Sequence, residues 1–367
     1  MDKFTSKHFI FIILAVSIVA MKTYPRTFMI HGQRESWIAV IVSSIIIFFF
    51  YIYMISIWKK SDGKSILEIY QNTLGNKTGN FFMILFLSNL FFILIECSSV
   101  QADSMHQNML IETPQWFFLL FFIIPSIYVI KKNLVAVVTI TMIGIIFIMI
   151  AGINLGLLTI KYKHASMLFP IFQDGIKFDF FLSVLETLGL YGSVSISFIY
   201  LTYINDNKKN MIKYVIIALI VLIQMEIVSI TGVLMTFTPF RAISMNYPKL
   251  LQTQLVSYFQ FLDFGELYVM LQISGGWLLK YLITFYGILT ILKNYNFSKQ
   301  KLNILTYIIS GMVLVGSYFI SGNSFILFKV LYYFQYICLV NFIIIPFIIF
   351  TIYSIKLRFN KINIKSS

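Results

Sequence analysis

Residues Ile38–Trp58 read IAVIVSSIIIFFFYIYMISIW without a single charge, and comparable apolar runs recur along the 367-residue chain. About 20 such residues, rising about 1.5 Å each, cover the roughly 30 Å hydrocarbon core of a bilayer. A soluble core has no use for so many of them. Charged residues make up 11% of the chain, against about 25% in a soluble domain, and the mean hydropathy is +0.86. The period-two alternation of a transmembrane barrel is absent, so the spans are helices. The chain is expected to be an all-α integral membrane protein with ten transmembrane helices. They are placed near 8–30, 36–58, 80–105, 114–130, 134–160, 178–203, 211–237, 264–292, 302–320 and 327–355.

The net charge of +14 is distributed over many loops, not gathered into one stripe, so nucleic-acid binding is not expected. With ten spans, eighteen Lys and Arg fall on the side of the termini, among them Lys59, Lys60, Lys131, Lys132 and Lys356. Nine fall on the other side, and Lys280 lies within a span. This bias places both termini in the cytoplasm. After Met21 comes Lys-Thr-Tyr-Pro-Arg, not a small-residue cleavage site, so the first segment is expected to be a retained span. Cys97 and Cys338 sit in separate apolar runs without metal or redox spacing. The four histidines lie near span ends, and no phosphate-cradling glycine loop precedes a helix. No catalytic residues, metal or cofactor are expected.

Interruptions within spans carry the functional signal. The first apolar run meets Lys22 and Pro25 before it has crossed a bilayer. An ammonium at that depth is costly, and proline removes a backbone donor. Broken backbone at membrane depth survives where protein covers it or where it lines a cavity. Two readings follow: half of a buried small-molecule site, or an early helix end from which Lys22 snorkels outward. In the sixth span, LETLGLYGSVSISFIYL carries Gly189 and Gly192 followed by Ser193, Ser195 and Ser197. These residues weaken a helix or allow close packing of a neighbour. Interruptions in spans one and six are the mark of an inverted-repeat transporter fold. Bulky residues at Gly189 or Gly192 are then expected to lower ligand sensitivity while assembly survives.

Five ionisable residues fall inside spans: Lys22, Glu96, Glu186, Glu226 and Lys280. Asn89, Glu96 and Asp103 recur every seven residues, which puts them on one face of the third span, directed inward. Glu96 is expected to receive a ligand amine or to pair with Lys22 or Lys280. Lys280 and Thr284, one turn apart, could meet a ligand or ion together. Glu186 is placed near the outer mouth, and Glu226 in a helix-packing hydrogen bond. Gly152 and Gly156 form a GxxxG pattern read as packing. Between Thr238 and Asp263, the spacing of Leu250, Leu251, Leu255, Phe259 and Leu262 after Pro248 suggests an amphipathic helix on the outer face. An extension of the eighth span is the alternative.

Four stretches carry a resemblance: GQRESWIAVIVSS (Gly32 to Ser44), SILEIYQNTLGNKTGN (Ser65 to Asn80), ETP (Glu112 to Pro114) and FLDFGELYVMLQISGGWLLKYLITFYG (Phe261 to Gly287). In their order and spacing the chain resembles the B subunit of GerA-type spore germinant receptors, the spore germination permeases of the amino acid–polyamine–organocation superfamily. The resemblance implies a LeuT-like five-plus-five inverted repeat in one domain over 1–367, with repeats near 8–160 and 178–355. It implies a location in the inner membrane of the endospore, A-type and C-type partner subunits, and a small-molecule germinant such as an amino acid, sugar or nucleoside. In related transporters the ligand lies between broken helices one and six, closed by helices three and eight. Carried onto this chain, those places are Ala20, Met21, Lys22 and Thr23; Gly189, Tyr191, Gly192 and Ser193; Glu96 and Val100; and Lys280 and Thr284. The superfamily's glycine-rich first break is replaced by Ala20, Met21 and Lys22, which argues against simple sodium-coupled transport. A proton-coupled amino-acid permease and a scaffold or ion conduit are the alternatives to a sensor.

Overall fold

The computed structural model describes residues 4–61, 63–173, 175–204, 208–256 and 264–366. Their elements are helical apart from an isolated bridge between Phe4 and Ile204. The chain enters through α1 (Ser6–Ser17), α2 (Ala20–Thr23) and α3 (Arg26–Gly32), then runs through the long α4 (Ser36–Lys59). A short helix α5 (Ile66–Leu74) is started by a reciprocal cap. Ser65 Oγ accepts from the Glu68 amide at 3.2 Å, and the Ser65 amide donates to Glu68 at 2.6 Å. It stops at Gly75, whose φ of +85° suits glycine. Then follow α6 (Asn76–Asn108), α7 (Gln115–Ile130), α8 (Leu134–Leu158), α9 (Phe178–Tyr191) and α10 (Lys208–Thr236). The two short helices α11 (Pro239–Ser244) and α12 (Pro248–Gln254) precede α13 (Phe264–Asn294), α14 (Lys299–Ser321), α15 (Ser324–Cys338) and α16 (Ile345–Ser366).

Among the described residues, nine helical stretches are long and apolar enough to cross a membrane, and α7, at 16 residues, is a shorter apolar helix. Together they occupy the ten predicted positions. Large apolar residues such as Phe49, Phe121 and Ile153 remain exposed on the perimeter, where lipid replaces water. Polar groups mark the inside: Asn89, Glu96, Asp103, Glu186, Glu226 and Lys280 are all buried. Helix α13 packs against α8, α6 and α1, while α9 packs against α4, α3 and α15.

Both predicted interruptions exist, in different forms. The first span breaks at Ile18 and Val19, between α1 and α2, and again at Tyr24, where φ −128° and ψ 60° leave the helical region. Proline disfavours helical geometry in the residue before it, and Pro25 follows. The sixth span does not unwind. Its α-helical half passes directly into a 3₁₀ helix over Gly192–Tyr203, twelve residues long, where such runs seldom exceed four. Beside it the last span loosens into a π segment, Leu339–Ile344, between α15 and α16. Ser195 Oγ donates to Phe342 O at 2.6 Å, so a hydroxyl of the tightened helix takes up a carbonyl of the loosened one.

The expected surface helix after Pro248 is instead packed inward. In α12, Leu250 and Gln252 are fully buried, and Gln252 Nε2 donates to Gly232 O at 2.8 Å. The Gln252 amide needs that carbonyl, which a helix lying on the bilayer surface could not reach. Phe259 and Leu262 lie outside the described residues.

Candidate functional site

Near the break in the first span, three elements converge on one carboxylate. Tyr24, turned out of helical geometry ahead of Pro25, donates its hydroxyl to Glu96 Oε1 at 2.5 Å. From α13, Lys280 Nζ reaches both carboxylate oxygens, at 3.2 and 3.0 Å. One turn earlier on α13, Trp277 stacks on the Tyr24 ring, with centroids 6.0 Å apart and planes 8° from parallel. The Lys280 ammonium also lies 5.1 Å from the Trp277 ring centroid. Glu96 is 5% exposed and Lys280 not at all. The charges balance, and the carboxylate accepts three charge-assisted hydrogen bonds, the condition under which a buried pair is tolerated. Ser99 Oγ, Thr284 Oγ1 and Trp277 Nε1 are buried without hydrogen-bond partners among the described residues.

Of the two lysines offered to Glu96, the structure pairs it with Lys280 and adds Tyr24. The rest of the α6 face behaves as its spacing requires. Asn89 Nδ2 contacts Cys338 Sγ at 3.8 Å. Asp103 accepts from Tyr247 at 2.5 Å and from Ser324 Oγ at 2.8 Å. Asn246 extends that network by donating to Gln107 and accepting from Arg26. Glu186 is held by His31 at 2.8 Å and by the Tyr336 hydroxyl at 2.7 Å, tying α9 to α3 and α15.

Lys22 stands apart from this cluster. Its electrostatic partner is Glu226 on α10, with no hydrogen bond between them, and it lines a cavity bounded by α8, α10, α12 and α13. A smaller space against Ile18, Val19 and Thr23 adjoins it. Thr23 Oγ1 donates to Val19 O at 2.8 Å within the broken segment, while Ala20, Met21 and Val100 are buried among apolar neighbours. The helix-packing hydrogen bond expected of Glu226 does not form. Both of its carboxylate oxygens are buried without a partner among the described residues, because Gln224 points to the Lys22 cavity and Ser229 Oγ is itself unpaired.

The sixth-span residues form a third group. A Cβ on Gly189 would overlap the Gln335 carbonyl of α15, and one on Gly192 would lie 3.2 Å from Cys338 O. Tyr191 shares a 2.7 Å hydrogen bond with Ser44 of α4, and Ser193 is buried. These glycines therefore serve helix contact. The expectation that a bulky residue at Gly189 leaves assembly intact is corrected, since α9 could not keep its distance from α15. Gly152 likewise makes room for Gln272, whose Nε2 would lie 2.6 Å from an added Cβ. Tyr24, Trp277, Lys163 and Lys249 were not singled out by sequence reasoning. The signal for Tyr24 was its place before proline, and that for Trp277 its spacing of three from Lys280.

Residues 4–324 match the family described as spore germination protein. The chain belongs to that family. No curated protein sequence matches this germination protein. Its architecture is similar to that of a Na+-coupled sialic acid symporter in a substrate-bound outward-open state, at 7% identity and a TM-score of 0.63, over 93% of this chain and 79% of the symporter. It is similar also to MhsT in complex with L-phenylalanine, at 11% identity and a TM-score of 0.63, over 95% of this chain and 89% of MhsT. At such identities the likeness establishes the fold. The chain is an integral membrane protein of the LeuT fold, with its first and sixth helices interrupted.

Proposed function

We propose that this chain is the germinant-sensing subunit of a spore germination receptor. It binds a small nutrient of the amino acid, sugar or nucleoside class within the membrane and signals to A-type and C-type partner subunits. It acts in the inner membrane of the endospore as a single transmembrane domain, with both termini in the cytoplasm. The observation that carries this reading is the Tyr24–Glu96–Lys280 cluster at the first-span break. A ligand ammonium can replace Lys280 on Glu96, while its carboxylate meets the released lysine. A sugar or nucleoside hydroxyl can replace Tyr24. Either exchange frees the segment around Tyr24 from α13, and the equilibrium moves by the difference in ligand affinity between the two arrangements.

A proton-coupled amino-acid permease is the second reading, favoured by the same buried carboxylate–ammonium pair as a carrier of the coupling proton. The deciding experiment uses the purified full chain with a panel of amino acids, sugars and nucleosides. It measures binding first, then uptake into vesicles. The sensor predicts saturable binding that Glu96→Gln weakens at least about tenfold, without uptake. Concentrative uptake assigns the permease, and absence of binding across the panel overturns both.

A further inference from the structure

On the α8 and α10 side of the broken segment lies a cavity of about 200 Å³ that the nutrient site does not use. Three lysines from distant parts of the chain line it: Lys22 at the break, Lys163 beyond α8, and Lys249 on α12. Lys163 Nζ donates to Gly156 O at 3.3 Å and Lys249 Nζ to Gln252 Oε1 at 2.8 Å, both neutral acceptors. Lys22 makes no hydrogen bond among the described residues, and the acid it faces, Glu226, is not on the cavity wall. Three like charges around one space repel each other unless an anion joins them.

A second observation points to an occupant. Ser229 lines the cavity, is 6% exposed, and its Oγ has no partner among the described residues. Gln224 and Gln272 add amide donors to the wall. Gly156 also lines it, and an added Cβ there would meet nothing within 4 Å. The mouth is framed by Ile153 of α8 and Val228 of α10, which are 65% and 48% exposed on the apolar perimeter. The opening therefore faces lipid, and Met149 and Met225 continue the apolar wall inward.

We propose that this cavity is an oxyanion site, in which Lys22, Lys163, Lys249 and Ser229 hold a phosphate or carboxylate head that enters from between α8 and α10. The source of that chemistry is an anionic membrane lipid or a soluble anion. Removal from water, together with Lys163 and Lys22, pushes the Lys249 ammonium down to about 7. The groups acting on it are Lys163, Lys22 and Gln252, and Lys22 in turn interacts with Glu226. A bound anion favours the charged lysine, so affinity falls as pH rises through 7. Lys22 and Tyr24 flank the same break, so an occupant also fixes the segment that carries Tyr24.

The test uses the purified full chain in neutral detergent and reads its unfolding midpoint and, by native mass spectrometry, its bound lipid. One arm adds phosphatidylglycerol against phosphatidylcholine, and the other adds inorganic phosphate. Stabilisation selective for phosphatidylglycerol assigns the lipid, and stabilisation by phosphate alone assigns the soluble anion. Lys249→Gln is expected to weaken either at least about tenfold. Gly156→Leu fills the open space and should abolish it, with the elution profile of the chain unchanged. No response to either anion, or a response unaltered in both variants, overturns the proposal.

Discussion

Two lysine–glutamate encounters lie on opposite sides of one short segment, and they are built differently. At Glu96 and Lys280 both carboxylate oxygens are hydrogen-bonded, Tyr24 supplies a third donor, and two aromatic rings close the space. Glu226 and Lys22 form no hydrogen bond or ion pair among the described residues, and the lysine borders an open cavity with two more lysines beside it. Burying a pair of charges is tolerable when both carboxylate oxygens are hydrogen-bonded, as at Glu96. Beside Lys22, Lys163 and Lys249 are held by the neutral acceptors Gly156 O and Gln252 Oε1, which leaves the positive charge of the cavity wall for an anion to balance. The first encounter ties helices together until a ligand exchanges for one of its partners, and the second offers positive charge to an anion.

That contrast is broken most directly at Lys280. Lys280→Met leaves Glu96 buried and uncompensated, and should destabilise the folded chain by about 3–5 kcal/mol. The double variant Lys280→Met/Glu96→Gln should recover most of the loss. Unfolding by titrated detergent measures both, and a single variant as stable as the parent would remove that tie. Tyr24→Phe sharpens the comparison at lower amplitude. It deletes one hydrogen bond to a charged acceptor while the ring stays on Trp277, for a loss of about 1.5–3 kcal/mol. In germinating spores the same variant should shift the nutrient dose–response curve, because it loosens the exchange at Glu96.

Much of this was legible in the sequence, and the reasons are local. Spacing of seven placed Asn89, Glu96 and Asp103 on one face of α6, because helical period alone decides which side chains share a face. The ten spans followed from the length of the apolar runs. Glycine is ambiguous, however, since a weak helix and a close neighbour ask for the same missing Cβ. Gly189 and Gly192 allow either reading, and the structure sets both against α15. The lysine cavity was illegible for another reason. Lys22, Lys163 and Lys249 belong to a span break and two loops, and they meet only because α12 folds inward between α10 and α13. As loop residues, Lys163 and Lys249 contributed to the sequence argument as charge bias alone.

The smallest predicted effect tests the contrast hardest. Glu226→Gln removes an acid whose two oxygens lack hydrogen-bond partners among the described residues. Two terms then oppose each other: a buried, poorly solvated carboxylate disappears, which stabilises, and Lys22 loses the field of its neighbour, which destabilises. With no hydrogen bond broken, the net change in stability should stay within about 1 kcal/mol, far below that of Lys280→Met. Anion affinity should rise instead, because Lys22 no longer shares its charge with an acid. Equilibrium unfolding and phosphate or phosphatidylglycerol titration of the same sample read both quantities. A loss as large as that at Lys280, with anion affinity unchanged, would make the two encounters equivalent and remove the anion site.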